Sequence, residues 1–465
     1  MHPDLLARWL PNQRWFGGKG REFAIVDQQR IGTIPNVGGQ EWPGPEVAVW
    51  LVTLEYAEGD RASYQVPVER RDHAADHLSH ALIGEDEGGF HYDALHDKEV
   101  TGRWLRAIAD DAEYDGLRFR HEPASTPFPL DEPSIVVGAE QSNTSLIFGD
   151  ALILKVFRKV SPGLNPDIEV HSALAAIGNE DVAPLLGWLE GTWRVPDSAS
   201  EEGAADVSVS LAMLQAYLRS ATGGWELALA SVRDLYAEGD LHADEVGGDF
   251  AAEAHRLGAT TAEVHADLAR TLPTGTAGPQ QFDELAQAMR RRFETAVAVV
   301  PELAEFRAAL GPVYDELAAL TEPVPVQRIH GDFHLGQVMR TLEGWRLLDF
   351  EGEPARPLDE RRSLASPLRD VAGMMRSFDY AARHLLVGRT NAQQLQHRAD
   401  EWVERNCAAF CDGYAEGSGH DPRDSKTLLR AFETDKVFYE VLYEARHRPA
   451  WIPIPMAAVR RLAGE

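Results

Sequence analysis

The sequence predicts an α+β protein with a first half rich in β-strands and a mainly helical second half. Apolar residues recur with a period of two in the segment 47–68, and two apolar runs lie within the segment 144–157. A short turn divides each segment in two. From Trp225 onward, apolar residues recur at the 3.6-residue spacing of an amphipathic helix. One β-like insert, residues 326–350, interrupts the helical half.

The first hundred residues predict a hairpin that is followed by a helix. The alternating residues 47–54 lead into a turn around Gly59, and residues 64–68 continue the alternation. Helical spacing in the segment 93–109 predicts a helix that closes this unit. The segment 14–19 contains a Trp-Phe pair outside any strand pattern, and we expect it to anchor this N-terminal unit.

A second β-region starts near Ser134. The apolar runs 145–148 and 151–157 are joined by Gly149-Asp150, which is a strong hairpin signal. The sequence therefore predicts a second hairpin directly before the first long helix of the region.

Composition narrows the class of protein. The chain has 465 residues, of which 44% are hydrophobic, so two or three subdomains are expected. The net charge of −29 argues against a nucleic-acid binder, because phosphate backbones require clustered Lys and Arg. No apolar run approaches the ~20 residues of a membrane helix. Because residues 1–4 also lack the features of a signal peptide, we expect no membrane association and a cytoplasmic location.

The β-like insert carries the residues that best indicate a chemical function. A strand leads into the turn His330-Gly331-Asp332, and the following strand pair ends at a second carboxylate, Asp349. Phosphoryl transfer uses such a pair: one carboxylate lies near the acceptor hydroxyl, and the other helps to hold Mg²⁺ against the nucleotide phosphates. The insert therefore predicts a phosphotransferase centre.

These residues resemble the catalytic loop of the aminoglycoside phosphotransferase superfamily, which shares the protein-kinase fold. The resemblance implies that Asp332 is the catalytic base or positions the acceptor, and that Gln337 and Asp349 bind Mg²⁺. Gln337 stands where the superfamily usually has Asn, and Asp349-Phe350-Glu351 replaces the Asp-Phe-Gly of protein kinases.

An alternative use of the same loop is a metal pair. His330 and His334 would share one face of a helix at their spacing, which is a pattern of zinc hydrolases. Gly331 and the preceding strand pattern favour a turn here, with His330 as a hydrogen-bonding support of the loop.

ATP-binding residues are predicted in the upstream β-region. Lys155 lies in an apolar strand and matches the lysine that pairs with nucleotide phosphates in kinase-like folds. Glu169 lies near the start of a helix that Asn165 caps and Pro166 begins, where the partner glutamate is expected. A surface lysine and an acid that complements the helix dipole are the alternatives for these two residues.

No glycine-rich phosphate motif precedes Lys155. A polar run between two strands takes its place, and we interpret it as a phosphate-binding loop, with a plain polar turn as the alternative. The predicted phosphate contacts are Gln141, Ser142, Asn143, Thr144 and Ser145. Gln215 and Tyr217 end the last strand of the region and fit a hinge at which adenine bonds the backbone.

Longer segments resemble the actinobacterial maltokinase family across essentially the whole chain. They are residues 14–17, 231–250, 349–354, 366–382 and 447–455. The resemblance implies a protein-kinase-like bilobal fold with an N-terminal cap domain (1–110), a β-rich nucleotide-binding module (111–222) and a helical C-lobe (223–465).

The same resemblance implies ATP- and Mg²⁺-dependent phosphorylation of maltose to maltose 1-phosphate, which feeds α-glucan (glycogen) synthesis. Trehalose synthase is a candidate partner. Sugar contacts are expected from acidic, basic and aromatic side chains near the catalytic loop. The candidates are His330, Asp370, Arg376, Tyr380, Glu440, Glu444, Arg448 and Trp451. Alternatives are a glucosamine kinase or other sugar kinase of the same fold, and a pseudokinase-like partner of trehalose synthase.

Overall fold

The computed structural model describes residues 2–36, 44–122, 128–138, 142–196, 206–238, 241–353, 356–389 and 392–464. The chain divides into two compact units. The first consists of residues 1–172 and 183–219, and the second of residues 173–182 and 220–465. The division at residues 110 and 222 into three domains stays a prediction.

The helices of the described residues are α1 (Pro3–Trp9), α2 (Lys98–Ala109), α3 (Pro166–Ala175), α4 (Gly224–Ala237), α5 (Ala251–Thr271), α6 (Pro279–Val299), α7 (Arg307–Ala318), α8 (Leu358–Arg362), α9 (Leu368–His384), α10 (Ala392–Ser418), α11 (Lys426–His447) and α12 (Pro453–Ala463). No helix in the described ranges is both long and apolar enough to cross a membrane.

The strands are β1 (Phe23–Ile34), β2 (Glu46–Tyr56), β3 (Arg61–Arg71), β4 (Leu82–Asp86), β5 (Gly89–Asp93), β6 (Glu113–Tyr114), β7 (Leu117–His121), β8 (Ser134–Val136), β9 (Thr144–Phe148), β10 (Leu152–Val156), β11 (Lys159–Val160), β12 (Leu185–Arg194), β13 (Asp206–Ala216), β14 (Thr222–Gly223), β15 (Thr274–Ala277), β16 (Val324–Gln327), β17 (Val338–Arg340) and β18 (Trp345–Leu347). The predicted α+β class is confirmed.

The first unit contains two antiparallel sheets. One has the order β1-β2-β3-β5-β4, with β11 paired to β3, and the other has the order β6-β7-β12-β13-β10-β9-β8. Both predicted hairpins are present, as β2–β3 and β9–β10. The predicted helix at 93–109 begins later, at Lys98. Asp93 ends β5, and the Asp97 side chain caps the helix by accepting a hydrogen bond from the Glu99 N–H.

The alternation in β2 sends neighbouring side chains into two separate cores. Val47, Val49 and Leu51 are buried in a core that the two sheets share. Val52 and Leu54 are buried on the other face, in a core that also contains the Trp-Phe pair of the segment 14–19. That segment therefore anchors the N-terminal sheet, as the sequence predicts.

The second unit is mainly helical, and α5 packs closely along α10. The contact depends on two glycines: a Cβ atom at Gly258 would lie 2.0 Å from the Phe410 carbonyl oxygen, and one at Gly413 would lie 1.9 Å from that of His255. Helix α9 packs against α10 and α11. Two short sheets, β14-β17-β18 and β15-β16, bring the residues of the predicted catalytic loop onto this helical base.

Candidate active site

Two segments of the second unit, residues 328–337 and 348–353, carry the predicted catalytic residues. The His330 Nε2 donates a hydrogen bond of 2.8 Å to the Leu348 carbonyl oxygen, and the Leu348 N–H donates one of 2.9 Å to that of Gln337. Gly331 has a φ of +83°, and Asp349 has the left-handed φ of +64° that non-glycine residues rarely adopt. The hydrogen bonds of Leu348 with His330 and Gln337 hold the two segments side by side.

Asp370 fixes the turn from beneath. Its carboxylate accepts hydrogen bonds from the backbone N–H groups of His330 (2.7 Å) and Gly331 (2.9 Å) and from His265 Nε2 (3.1 Å). Burial raises the pKa of this carboxyl. The hydrogen bonds from His265 and the other donors lower the pKa by more than burial raises it, so the net pKa is below its usual value. Asp370 is 1% exposed, so its position corrects the prediction of a direct sugar contact.

The His330 side chain is also fully engaged in contacts within the protein. Its Nε2 bonds Leu348, its Nδ1 accepts a 3.4 Å hydrogen bond from the Asp332 N–H, and its ring packs on Phe350 with centroids 4.8 Å apart. Since both ring nitrogens are engaged and the segment is not helical, the paired-histidine metal site is wrong. His330 supports the loop and does not face a sugar.

Asp332 forms an ion pair that the sequence did not reveal. Lys436, in the middle of α11, lies 3.0 Å from Asp332 Oδ1 and 2.8 Å from Glu353 Oε1. Burial raises the pKa of Asp332, whereas Lys436 and His334 lower it, and the result is a pKa below the usual value. The pKa of Lys436 is raised, because the two carboxylates outweigh its burial. For both Asp332 and Lys436 the direction of the shift favours the charged form.

Gln337 and Asp349 lie together, as predicted for metal ligands. The Gln337 Nε2 is 3.1 Å from Asp349 Oδ2. A short 3₁₀ turn, Leu335–Gln337, brings the longer glutamine side chain to the carboxylate. Amide and carboxylate oxygens are the hard ligands that Mg²⁺ prefers, so the residues present fit this ion. Their role as ligands stays a prediction.

A cavity of about 360 Å³ lies within the second unit beside this loop. Most of its walls are aromatic or charged. The lining residues are Trp225, His334, Gly336, Gly373, Ser377, Tyr380, His384, Lys436, Tyr439, Glu440, Tyr443, Glu444, Arg448 and Trp451. The structure thus brings together Tyr380, Glu440, Glu444, Arg448 and Trp451, which the sequence proposed as sugar contacts, and joins them to Lys436.

Both carboxylates of this cavity are paired within the protein. Glu444 accepts two hydrogen bonds from Arg448 (2.6 and 2.9 Å) and one from the Tyr380 hydroxyl (2.5 Å). Glu440 accepts one of 2.7 Å from Arg376. Arg376 is 2% exposed and also bonds Asp379, so it lies behind the wall and corrects the prediction of a sugar contact. Burial raises the pKa of Glu440 despite Arg376.

Arg448 organises the aromatic wall. Its guanidinium carbon lies 4.2 Å from the ring centroid of Trp451 and 5.2 Å from that of Tyr443. Trp451 in turn contacts Tyr380, with centroids 6.2 Å apart. Cation–π contacts of this kind attract a cation to the face of a ring, so Arg448 links Trp451 and Tyr443 in the wall of the cavity.

The predicted lysine of the nucleotide site lies in the first unit. Lys155, on β10, forms a 3.2 Å ion pair with Asp167 Oδ2, and Asp167 Oδ1 lies 3.1 Å from His171 Nδ1. Asp167 is in the first turn of α3, where its N–H is capped by the Asn165 side chain, as predicted. Glu169 lies in the same turn. Asp167 is an acidic partner that sequence reasoning missed, because Glu169 matched the expected residue type.

The predicted phosphate loop is shorter than the sequence suggested. Thr144 and Ser145 belong to strand β9 and are buried, and the Thr144 hydroxyl accepts a hydrogen bond from Arg158. Thr144 is therefore corrected from loop to strand, whereas Ser145 lies in the strand run predicted from residue 145. Phosphate contacts by these two residues stay a prediction. Ser142 is exposed and Asn143 buried, whereas Gln141 lies outside the described residues.

The predicted adenine hinge follows strand β13. Gln215 lies near the end of that strand, and its side chain donates a 3.4 Å hydrogen bond to the Ala183 carbonyl oxygen. The Tyr217 N–H donates one of 2.7 Å to the Ala151 carbonyl oxygen. A role in adenine binding stays a prediction for both.

Comparisons with known proteins agree with this arrangement. The family model for the maltokinase N-terminal cap domain matches residues 9–97, and that for the phosphotransferase enzyme family matches residues 236–419. The chain is 30% identical over 346 residues to a glucosamine kinase of Streptacidiphilus jiangxiensis, which covers 72% of this chain and 74% of the relative. It is 29% identical over 348 residues to a glucosamine kinase of Mycolicibacterium smegmatis, with coverage of 71% and 79%.

Solved structures show the same fold. A glucosamine kinase in complex with glucosamine, ADP and inorganic phosphate superposes with a TM-score of 0.68 at 23% identity and covers 99% of both chains. A second crystal form of a glucosamine kinase gives a TM-score of 0.71 at 23% identity and covers 100% of both chains. The kinase-like fold with an N-terminal cap is therefore established.

Proposed function

This chain belongs to the phosphotransferase enzyme family, in the branch that carries a maltokinase N-terminal cap domain, and from that premise we propose that it phosphorylates maltose with ATP. The product is maltose 1-phosphate, a building unit for α-glucan (glycogen) synthesis. In this role trehalose synthase is the proposed protein partner.

The observation that carries the proposal is the cavity beside Asp332. Its volume of about 360 Å³ lies within the range of small-molecule sites, and it has five aromatic side chains in its lining. Sugars present apolar C–H faces that pack on aromatic rings and hydroxyls that bond charged or amide groups. A lysine at one end of the same cavity contacts Asp332. The lining therefore supports a sugar whose reacting hydroxyl lies at that end.

Charge pairing favours a neutral sugar over an amino sugar. The ammonium of glucosamine needs a carboxylate, but Glu440 and Glu444 are both bonded to arginines. Taking Glu440 from its buried partner Arg376 would leave an uncompensated charge. Glu444 is itself buried, although its partner Arg448 is 43% exposed. Two relatives are named glucosamine kinases, so glucosamine is the second candidate. Paired carboxylates in the wall support maltose.

The mechanism follows from the placement of the loop residues. The acceptor hydroxyl lies near Asp332, which orients it and takes its proton. The bond from the γ-phosphorus to the ADP oxygen breaks as a bond to the hydroxyl oxygen forms. Gln337 and Asp349 would hold Mg²⁺, which neutralises charge on the phosphates. Lys155 pairs with the nucleotide phosphates. Most of the rate enhancement then comes from positioning and electrostatics rather than from a strong base.

An acceptor screen tests the proposal. The protein is assayed with ATP, Mg²⁺ and either maltose, glucosamine, glucose or trehalose, and ³¹P NMR identifies the phosphate ester. We expect the highest kcat/KM with maltose and an ester at the anomeric carbon. Asp332→Asn is the control with strongly reduced turnover. Preference for glucosamine would replace maltose by the second candidate, and no turnover with any sugar would support the pseudokinase alternative.

A charge-neutral variant separates the two sugars. Glu444→Gln keeps the shape of the side chain and removes its charge. If the cavity holds a neutral sugar, the variant lowers kcat/KM for maltose by only a few-fold, about the effect of one weakened hydrogen bond. A selective loss of glucosamine turnover would instead indicate that Glu444 binds an ammonium group.

A further inference from the structure

Lys436 is a half-buried cation for which the proposed mechanism has no role. It lies within α11, and its side chain is 17% exposed. Burial alone disfavours the charged form of lysine, so a buried ammonium requires close anionic partners. Asp332 and Glu353 are those partners. The lysine thus depends on the carboxylate that is proposed to receive the acceptor proton.

Glu353 is charge-compensated without Lys436. It also accepts hydrogen bonds from Arg356 and, at 3.1 Å, from Arg369. These three cations and the two carboxylates Asp332 and Glu353 lie in one network. Lys436 bridges both carboxylates. If it were removed, Glu353 would keep its two arginines, so Asp332 depends on the lysine more strongly. His334, whose Nε2 is 4.0 Å from Asp332, is the other group facing that carboxylate with basic character, and burial lowers its pKa.

Several charged or titratable groups of the second unit surround Asp332 in the described part of the chain. They come from α11, α9, the catalytic loop and the segment after β18: Asp435, Lys436, Tyr439, Arg369, Asp370, His330, His334, Glu353 and Arg356. Asp435 is bonded to Arg292, and Asp370 is bonded to the loop backbone. Within this set, Lys436 is the cation in hydrogen-bond contact with Asp332.

Lys436 also reaches the proposed sugar site. It lines the 360 Å³ cavity and the small cavity that contains Asp332. An ammonium has three N–H donors, of which two serve the carboxylates. The lysine thus fixes the direction of the Asp332 side chain at the end of the cavity, where the acceptor hydroxyl would lie.

We propose that Lys436 is a positioning residue that acts through Asp332, holding this carboxylate ionised and aimed at the acceptor hydroxyl. This inference rests on the proposed phosphoryl transfer but not on the identity of the sugar. In that step the hydroxyl proton passes to Asp332 as the phosphorus–oxygen bond to ADP breaks and the new one forms. Lys436 neither gains nor loses a proton; it keeps Asp332 able to accept one.

The first test replaces Lys436 by methionine and measures kcat/KM between about pH 5 and 9. In the wild type the acid limb is expected below the ordinary aspartate pKa of about 3.9, because Lys436 favours the ionised form. Lys436→Met removes this effect, so we expect turnover at pH 7 to fall about 10²-fold and the acid limb to move upward into the measured range. Lys436→Arg keeps the charge and is expected to keep the wild-type acid limb. Lys426→Met, an exposed lysine on the same helix, is the matched control.

A double-mutant cycle tests whether the lysine acts through Asp332. In the Asp332→Asn background, Lys436→Met is expected to lower the remaining turnover by less than about threefold, because coupled residues are strongly non-additive. Equal effects of Lys436→Met in both backgrounds, or an acid limb that does not move, would overturn the proposal. The double variant removes both charges of the pair, so neither is left uncompensated and we expect this variant to fold. Melting temperatures check the folding of all variants.

The outcomes separate this inference from the proposed function. The assays use whichever sugar the wild type phosphorylates best, so a preference for glucosamine leaves the test intact. If no sugar is phosphorylated, Mg²⁺-dependent hydrolysis of ATP, with water as the acceptor, supplies the same pH profile. An unchanged profile in Lys436→Met with an active wild type contradicts only the role of Lys436.

Discussion

Two lysines, one in each unit, pair with an aspartate in different surroundings: Lys155 is buried and Lys436 is half-buried. Lys155 lies on strand β10 and pairs with Asp167, which also contacts His171. Lys436 lies on a helix and bridges Asp332 and Glu353 at the edge of a cavity. A lysine fixed by a sheet is suited to reach a ligand's phosphates. A lysine held between two carboxylates is suited to hold one of them in place.

The difference shows that a buried ion pair has to be interpreted from its neighbours. The Lys436 pair belongs to a network with two arginines and adjoins an aromatic cavity. The Lys155 pair lies in a β-rich unit, next to the first turn of α3. We therefore assign the Lys436–Asp332 pair to the acceptor side of the reaction and the Lys155–Asp167 pair to the nucleotide side.

Asp349→Ala should have the largest effect. It tests whether the second unit, which contains the Lys436 pair, also serves the nucleotide side of the reaction. Asp349 lies in this unit but is proposed to hold the metal that contacts the nucleotide. Its loss should abolish Mg²⁺-dependent turnover and leave the fold intact. Turnover is measured against Mg²⁺ concentration, with the exposed Asp359→Ala as control. Normal activity would remove Asp349 from the site.

Asp332→Asn tests whether Asp332 acts on the acceptor hydroxyl and not on nucleotide binding. It should lower kcat by about 10²–10⁴-fold, the usual contribution of a positioned proton acceptor, because an amide cannot take the hydroxyl proton. Binding of a fluorescent ATP analogue should stay within about twofold of the wild type. Loss of nucleotide binding in this variant would contradict the division between the two lysine sites.

Lys155→Met is the counterpart on the nucleotide side. Removing a cation that pairs with phosphates should raise the KM for ATP and lower kcat/KM for ATP by about 10–10³-fold, since a charge-assisted bond contributes about 1.5–3 kcal/mol and the transition state adds to this. The KM for sugar should change little. The exposed Lys159→Met on β11 is the control. A larger change in sugar KM than in ATP KM would reverse the assignment.

Trp451→Ala should have the smallest effect and should fall only on the sugar. Loss of one aromatic face should raise the KM for maltose by about tenfold, corresponding to about 1.4 kcal/mol. Trp451→Phe, which keeps a ring, should recover most of the affinity. An unchanged KM for maltose together with normal stability would place the sugar elsewhere.

The sequence predicted local features well because neighbouring residues determine them. The hairpin β2–β3 follows from period-two alternation and a short turn, and β9–β10 follows from two apolar runs joined by Gly149-Asp150. The Asn165 cap follows from residue type at the start of a helix. Lys155 was also recognisable, since a charged residue inside an apolar strand is unusual. Its partner Asp167 lies twelve residues along the chain.

Long-range pairs could not be predicted in this way. Lys436 and Asp332 are 104 residues apart, and a lysine in an amphipathic helix is normally exposed. Asp370 and Arg376 have the residue types of sugar contacts, but the packing of α9 buries them. Burial depends on the neighbouring helices, which periodicity within one segment does not identify. A charged residue in the buried stripe of a helix, as Lys436 is in α11, was the available signal.

Helix α11 also gives the enzyme a way to discriminate by rate. Lys436, Glu440, Tyr443 and Glu444 follow a spacing that places them along one side of a single helix. The wall that would contact the sugar and the lysine that holds Asp332 are therefore parts of one rigid element. An acceptor that fits poorly and shifts this helix by about 1 Å would also move Asp332 away from the acceptor hydroxyl. Such a misplacement costs about 10²-fold in rate. Wrong sugars would then bind yet react slowly, and fidelity would reside in kcat.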